Sequence, residues 1–365
     1  MLEFNSSPEP TIGVEIELQL IDRTSFDLKN IAPLLLKSIS PSFKGRIKEE
    51  FLQSMIELNT GICSTVMEVE RDLRESLKYL EERLAPLYAT FYSSSLHPFA
   101  RVKHQRITLN PRYSRIMDDL QIVGRRFISQ GLHVHIGIDD PEKAIRVNNT
   151  IRIYLPLLLA LTTSSPFYEG EYTGLYSYRT KLYDALPRAG MPDSFENWDE
   201  YKRVVALLKK GGYIESVKDL WWDVRPHPDF GTVEVRVCDL PSRLKDILAI
   251  TALIQALVVS IARRDIQPGA NIQILRANKW QASRYGLEGV FVDPARATRY
   301  TMRDAAGALL DIVETEARHL GSGEYLSSVQ EILREGTGAH RQIAYYRKRK
   351  DFRLMISDLK EEFYK

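Results

Sequence analysis

Residues 11–21, Thr-Ile-Gly-Val-Glu-Ile-Glu-Leu-Gln-Leu-Ile, alternate apolar and polar positions: Ile12, Val14, Ile16, Leu18 and Leu20 stand between Gly13, Glu15, Glu17 and Gln19. A period of two is the pattern of a strand with one buried and one wet face. Glu15 and Glu17 therefore project side by side. Carboxylates that close repel one another unless a cation, water or protons separate them. The pair is either the solvated face of a strand or half of a metal site.

The same design returns twice. In Gly131-Leu-His-Val-His-Ile-Gly-Ile138 the apolar residues Leu132, Val134, Ile136 and Ile138 share one side, and His133, His135 and Gly137 share the other. His-x-His on a strand aims both imidazoles at one place, as metal or phosphate contacts or as a hydrogen-bonded structural pair. In Leu220–Pro226 and Thr232–Asp239, separated by a turn at Pro228–Gly231, Val233, Val235 and Val237 face one way and Glu234 and Arg236 the other. An acid and a base two apart can be a surface ion pair. Repetition on three strands points instead to a shared functional face.

Between these strands the period changes. Ile31–Ile39 predicts a short helix ended by Pro41, and Val66, Val69, Leu73, Leu77, Leu80, Leu84 and Leu87 form the stripe of a scaffold helix. Arg46–Thr60 carries Glu50 and Glu57, whose odd spacing sends them to opposite faces of a regular strand unless a bend or bulge intervenes. Phe91–Leu96 reads as a serine-rich strand that delivers His97 into a long polar loop. Asp140-Pro141 caps a helix expected to run to about Thr163. Residues 164–195, rich in Gly, Pro and Tyr, predict a lid or binding loop, with Arg179 as a clamp for a substrate carboxylate. A helix spans Trp198–Lys210, and from Ser242 the chain is mostly helical.

Irregular spacing of strands and helices argues for an α+β fold with one curved, mainly antiparallel sheet backed by helices. The expectation is a single catalytic domain over residues 1–365 with a helical C-terminal part from about 290. Lys plus Arg at 50 against Asp plus Glu at 48 leaves +2, which gives no electrostatic footprint for nucleic acid. Cys63 and Cys238 form no Cys-x-x-Cys and read as reduced thiols. The N-terminus lacks a signal-peptide pattern, and the apolar runs Ile153–Leu161 and Leu253–Ala262 read as buried helices. A cytoplasmic location, with neither membrane nor nucleic acid as partner, is expected; homo-oligomerisation is left open. No Walker motif or Gly-x-Gly-x-x-Gly occurs.

Placed on neighbouring strands, Glu15, Glu17, Glu50, Glu57, His133, Glu234 and Arg236 would line one concave face. Hard oxygen ligands suit Mg²⁺ or Mn²⁺, and several such ions beside an arginine suit a polyphosphate such as ATP. His-x-His also opens the metal site of amidohydrolases, so a metal hydrolase is the competing reading, and a nucleotide-binding relative without catalysis is a third.

Thr11-Ile-Gly-Val-Glu-Ile-Glu-Leu, Gly131-Leu-His-Val-His-Ile-Gly, Trp222-Asp-Val-Arg-Pro, Phe230-Gly-Thr-Val-Glu-Val-Arg-Val and Arg284-Tyr-Gly-Leu-Glu-Gly, in this order, resemble the type 2 glutamate-cysteine ligases, or carboxylate-amine ligases. The resemblance runs from about Thr11 to Gly289. It implies a glutamine-synthetase-like catalytic domain and ATP-dependent amide formation through an acyl phosphate, with Mg²⁺ or Mn²⁺. The substrates implied are L-glutamate and an amine, with L-cysteine the leading one. Carried over by motif, Glu15, Glu17, Glu57, His133 and Glu234 match metal ligands, with Glu50 a sixth. Arg236 matches the arginine that meets the transferred phosphate, and His135 a phosphate-contacting histidine. Arg179 and Arg225 are the expected substrate arginines.

Overall fold

The structure is a computed structural model that describes residues 2–264 and 269–365. Its main sheet has seven strands: β1 (Ile12–Asp22), β2 (Ile47–Glu49), β3 (Met55–Asn59), β4 (Ala89–Tyr92), β5 (Leu132–Gly137), β6 (Val224–His227) and β7 (Thr232–Val235). The order is β6-β7-β5-β1-β3-β2, with β4 on β1, and every pair is antiparallel. β1 sits at the centre because it is long enough to serve three partners. β3 takes Glu15–Gln19 along one edge, and β5 and β4 share the other, end to end. The antiparallel order leaves the hydrolase reading without the parallel βα alternation it needs.

Register puts the alternating apolar positions opposite one another: Val14 with Val134, Ile16 with Leu58, Leu18 with Ile56, and Val235 with Val134. All are buried. This face packs on the helices Val66–Leu84, Pro141–Ile151 and Leu244–Arg263, and one apolar cluster extends from Ile12 to Phe363. Thr65 caps the first helix, and its stripe from Val66 to Leu84 is buried as its period demands. Each such side chain taken from water contributes roughly 1.5–3 kcal/mol. Leu244–Arg263 is long and apolar enough to cross a membrane, yet almost all of it lies inside the fold, which explains its composition as a core helix.

Several expectations change. The helix from Pro141 stops at Ile151 and resumes as Leu155–Thr162. Pro156 lacks an N–H and its ring would meet the carbonyl four residues back, that of Arg152. The serine-rich strand ends at Tyr92. The hydroxyls of Ser93 and Ser94 bond to the carbonyls of Pro241 and Ser164 at 2.7 Å each, making a buried connector in place of a ladder. His97 is structural, with Nε2 2.8 Å from the Phe26 carbonyl. The long polar loop contains helices Pro111–Leu120 and Ile122–Arg125. Residues 164–195 are stitched down by the buried Asp239 carboxylate, which accepts from Ser164 N, Ser165 Oγ and Ser177 Oγ at 2.7–2.9 Å.

The β6–β7 turn is roofed by the N-terminal segment, where Asn5 N donates to Pro228 O at 2.9 Å. Gly231 has φ +62°, and a Cβ there would fall 1.6 Å from Asn5 O. Gly231→Ala should therefore cost about 2 kcal/mol or more, from left-handed backbone strain plus displacement of residues 5–7. Urea unfolding of the variant should show a lower midpoint; an unchanged midpoint would contradict this account of the turn.

Candidate active site

The polar positions of the sheet line a cleft of about 360 Å³. They form rows across the strands. Glu234 of β7 lies between Arg225 of β6 and His135 of β5, Glu15 lies between His133 and Asn59, and Glu17 is opposite Glu57. The face expected to be wet is thus enclosed: Glu17 and Gln19 are buried. Two ligand sets result, Glu15 with His133 and Glu234, and Glu17 with Glu50 and Glu57, each with donor atoms within 4.8 Å of one another. Glu50 joins its set because it lies in the connection between β2 and β3. The chain reverses there, which answers the odd spacing.

The two sets differ electrically. Burial opposes charge on Glu15, but the hydrogen bond with His133 and the nearby His135 outweigh it and hold the carboxyl well below its ordinary range. Burial of Glu234 is likewise outweighed by Arg225 and Arg236. Arg225 Nε donates to Glu234 at 2.6 Å, and Arg236 Nη1 bonds the other oxygen. Burial and the Arg236 charge push His133 down to about 4. His135 goes the other way, because Glu234 and Glu15 overcome its burial. In the second set burial, joined by neighbouring carboxylates, raises Glu17 and Glu57 to about 7 and Glu50 well above its usual value. Glu17 is buried and Glu50 and Glu57 are half-buried, and three carboxylates this close repel one another.

Such a donor set, five carboxylates and one imidazole, fits hard divalent ions. His135 Nε2 is buried without a hydrogen-bond partner and lies 3.6 Å from Glu15 and 3.8 Å from Glu234. Its Nδ1 is 3.0 Å from Thr232 Oγ1. Arg236 lies just past the end of β7, where its N–H and that of Val237 both bond to Asp223 O, at 2.8 and 3.1 Å. Two donors on one acceptor form a bulge, and this turns the guanidinium toward Glu234 and the cleft.

The two expected substrate arginines are placed otherwise. Arg179 lies beneath the cleft floor, buried, with its guanidinium 3.3–3.4 Å from the carbonyls of Arg236 and Val237 and 4.4 Å from the Tyr183 ring. Gly131 is required by its approach: a Cβ would come 2.4 Å from Arg179 Nη2. That same Gly131 N donates to Glu17 at 2.6 Å. Arg225 reaches the cleft, but its Nη1 is held by the carbonyls of Val217 and Leu220 at 2.7 Å each, so it braces Glu234. The Arg179 fork is thus occupied by carbonyls, whereas Arg225 lines the cleft with Nε and Nη1 engaged.

Unanticipated residues complete the site. Lys48, Arg112 and Lys218 add cations to the lining, and Tyr113, Ile116, Leu120 and Phe127 form an apolar wall. The signal for the wall helix was present: Asn110-Pro111 repeats the logic of Asp140-Pro141, and Asn110 accepts from Arg112 N at 2.9 Å. Lys279, buried in the helix Ile272–Tyr285, bonds Asp223 at 2.7 and 2.9 Å and Asp184 at 3.1 Å. It anchors the residue that holds the Arg236 bulge.

Fold and site together define a glutamine-synthetase-like ligase. The fold is shared by the Francisella tularensis glutamate-cysteine ligase solved with AMP: TM-score 0.70, 13% identity, covering 98% of this chain and 89% of that one. A bifunctional glutathione synthetase from Pasteurella multocida gives TM-score 0.73 at 14% identity, over 97% of this chain and 52% of that one. In sequence, the model of glutamate-cysteine ligase family 2 matches residues 11–357. Proteins named "Putative glutamate--cysteine ligase 2" are 41% identical in Gloeobacter violaceus, with 98% of each chain covered, and 39% in Sorangium cellulosum, with 96% of each covered. The chain belongs to glutamate-cysteine ligase family 2, and is an ATP-dependent carboxylate-amine ligase.

The repulsion in the second set has a measurable sign. A carboxyl whose folded pKa is raised destabilises the fold once the unfolded carboxyl ionises, so metal-free stability should fall as pH rises from about 4.5 to about 7. Glu57→Gln should relieve this and stabilise the metal-free protein by on the order of 1–3 kcal/mol at pH 8. Mg²⁺ or Mn²⁺ should then stabilise the variant less than the wild type. Urea titrations in EDTA and in metal decide the matter; a variant no more stable than wild type in EDTA would refute it.

Proposed function

We propose that the protein joins the γ-carboxylate of glutamate to an amine by way of an acyl phosphate, with ATP as phosphoryl donor and ADP and phosphate as products. The observation that carries this reading is the pair of ligand sets on one sheet face with Arg236 at the edge of the first. Divalent ions held there would neutralise phosphate oxygens, the chemistry such ions supply in phosphoryl transfer.

The remaining roles belong to the chain's own groups. Arg236 keeps Nε buried without a protein partner, so it has a donor to spare for the oxygens of the transferred group. His135, fixed through Thr232, offers a second donor at the first set. His227 and Phe230 stack at 4.2 Å and 11°, giving the first set a flat apolar neighbour suited to a nucleotide base. Lys48 and Arg112, rather than Arg179 or Arg225, are the cations for glutamate's α-carboxylate.

A carboxylate oxygen of glutamate bonds to the γ-phosphorus as the bond to the ADP oxygen breaks, and ADP leaves with the electron pair. The amine nitrogen then bonds to the carbonyl carbon, phosphate departs with its pair, and the nitrogen gives up a proton. A free carboxylate is a poor electrophile, and phosphorylation supplies the leaving group. The names of the family and of its relatives support glutamate and an amino acid as the reactants. Dependence on ATP suits a cytoplasmic enzyme. Retention of all the clustered carboxylates with Arg236 speaks against an inactive relative.

ADP and phosphate, not AMP and pyrophosphate, should appear only when carboxylate and amine are both supplied. Oxygen-18 placed in the glutamate carboxylate should be found in the released phosphate, and its absence would sink the acyl phosphate. Arg236→Lys should lose about 10²-fold or more in kcat although charge is kept, because an ammonium cannot reproduce the planar fork.

A further inference from the structure

The cleft has two unlike ends. At the first ligand set stand charged groups and the flat His227–Phe230 pair. At the second set Lys48 stands opposite Glu57, Arg112 precedes Tyr113, and an apolar surface adjoins them. Phe51 meets Tyr113 edge-on at 5.6 Å, and Phe127 meets Tyr183 edge-on at 4.8 Å. These pairs line the same cleft as Glu17, Glu50 and Glu57, with the Arg179 guanidinium 4.4 Å from the Tyr183 ring. Met55, Ile116, Leu120 and Leu186 extend the surface. Phe51, Ile116 and Phe127 line the cleft while only half-buried, so the folded protein leaves apolar area uncovered there.

Glutamate cannot cover that area, since its α-ammonium and both carboxylates need ionic partners. The nucleotide's charge belongs with the first set and Arg236. The uncovered surface is left to the amine. Cysteine has a single CH₂–SH to offer it, whereas a branched or aromatic side chain would displace water from several of these side chains at once. We infer that the amine substrate of this ligase carries a bulky apolar side chain, leucine- or phenylalanine-like, and that cysteine is a poor substrate. This rests on the ligase reading above.

One methylene in an apolar pocket discriminates by about 10- to 200-fold. With glutamate and MgATP, kcat/KM measured by ADP release should therefore be at least about 10-fold higher for leucine or phenylalanine than for cysteine. Ile116→Ser should shrink that ratio several-fold, and Phe127→Ser should do the same. The ratio of two amines within one preparation does not depend on how much of a variant is folded. Cysteine equal to or better than the apolar amines would overturn the inference and leave the ligase reading standing. An unchanged ratio in both variants would also overturn it. Failure of every amine, cysteine included, to release ADP from glutamate and ATP would overturn the ligase reading, and this inference with it.

Discussion

Everything in this protein depends on gathering five carboxylates into one cleft, four from the strands and Glu50 from the β2–β3 connection. Isolated buried charge is expensive, and like charges side by side cost more. The first set meets the cost with protein groups, since Arg225, Arg236 and two histidines keep Glu15 and Glu234 ionised. The second set does not, and Glu17, Glu50 and Glu57 are pushed toward their protonated forms. The asymmetry divides the cleft into an end whose carboxylates are matched by protein cations and an end whose carboxylates repel one another.

The scaffold behind the cleft serves that arrangement. Buried ion pairs are weak evidence of stability, but they fix geometry where both partners are saturated. Lys279 grips Asp223, whose carbonyl receives the two N–H groups of the Arg236 bulge. Arg179 supports the same strand from beneath, and Asp239 ties the adjoining segment to it through three hydrogen bonds. Arg236 is thus aimed by groups that never enter the cleft. On the opposite face of the sheet a continuous apolar layer against three helices makes register costly to change, because a one-residue slip would send the carboxylates into the core.

The walls, by contrast, belong to segments outside the sheet. Helices Pro111–Leu120 and Ile122–Arg125, with Tyr183 and Leu186 from the stitched segment, wall the cleft whose floor the sheet supplies.

Strand identity was legible in the chain itself, because alternation is a property of the local pleat: Ile12–Leu20, Leu132–Ile136 and Val233–Val235 each declare which residues share a face. The cap signal at Asp140 was equally local. So was the grouping of Glu15 with Glu17 and of His133 with His135, since residues two apart on a strand share a face. Only tertiary structure decided which carboxylates stand together, because pairing Glu15 with His133 and Glu17 with Glu57 is a matter of register between segments distant in the chain. It also brought Glu50 in through a reversal, and it decided the fate of the arginines. A sequence shows that Arg179 can form a fork, but not that the carbonyls of Arg236 and Val237 will be there to occupy it. Periodicity reports what a side chain's own backbone does, whereas burial and partnership are set by residues elsewhere in the chain.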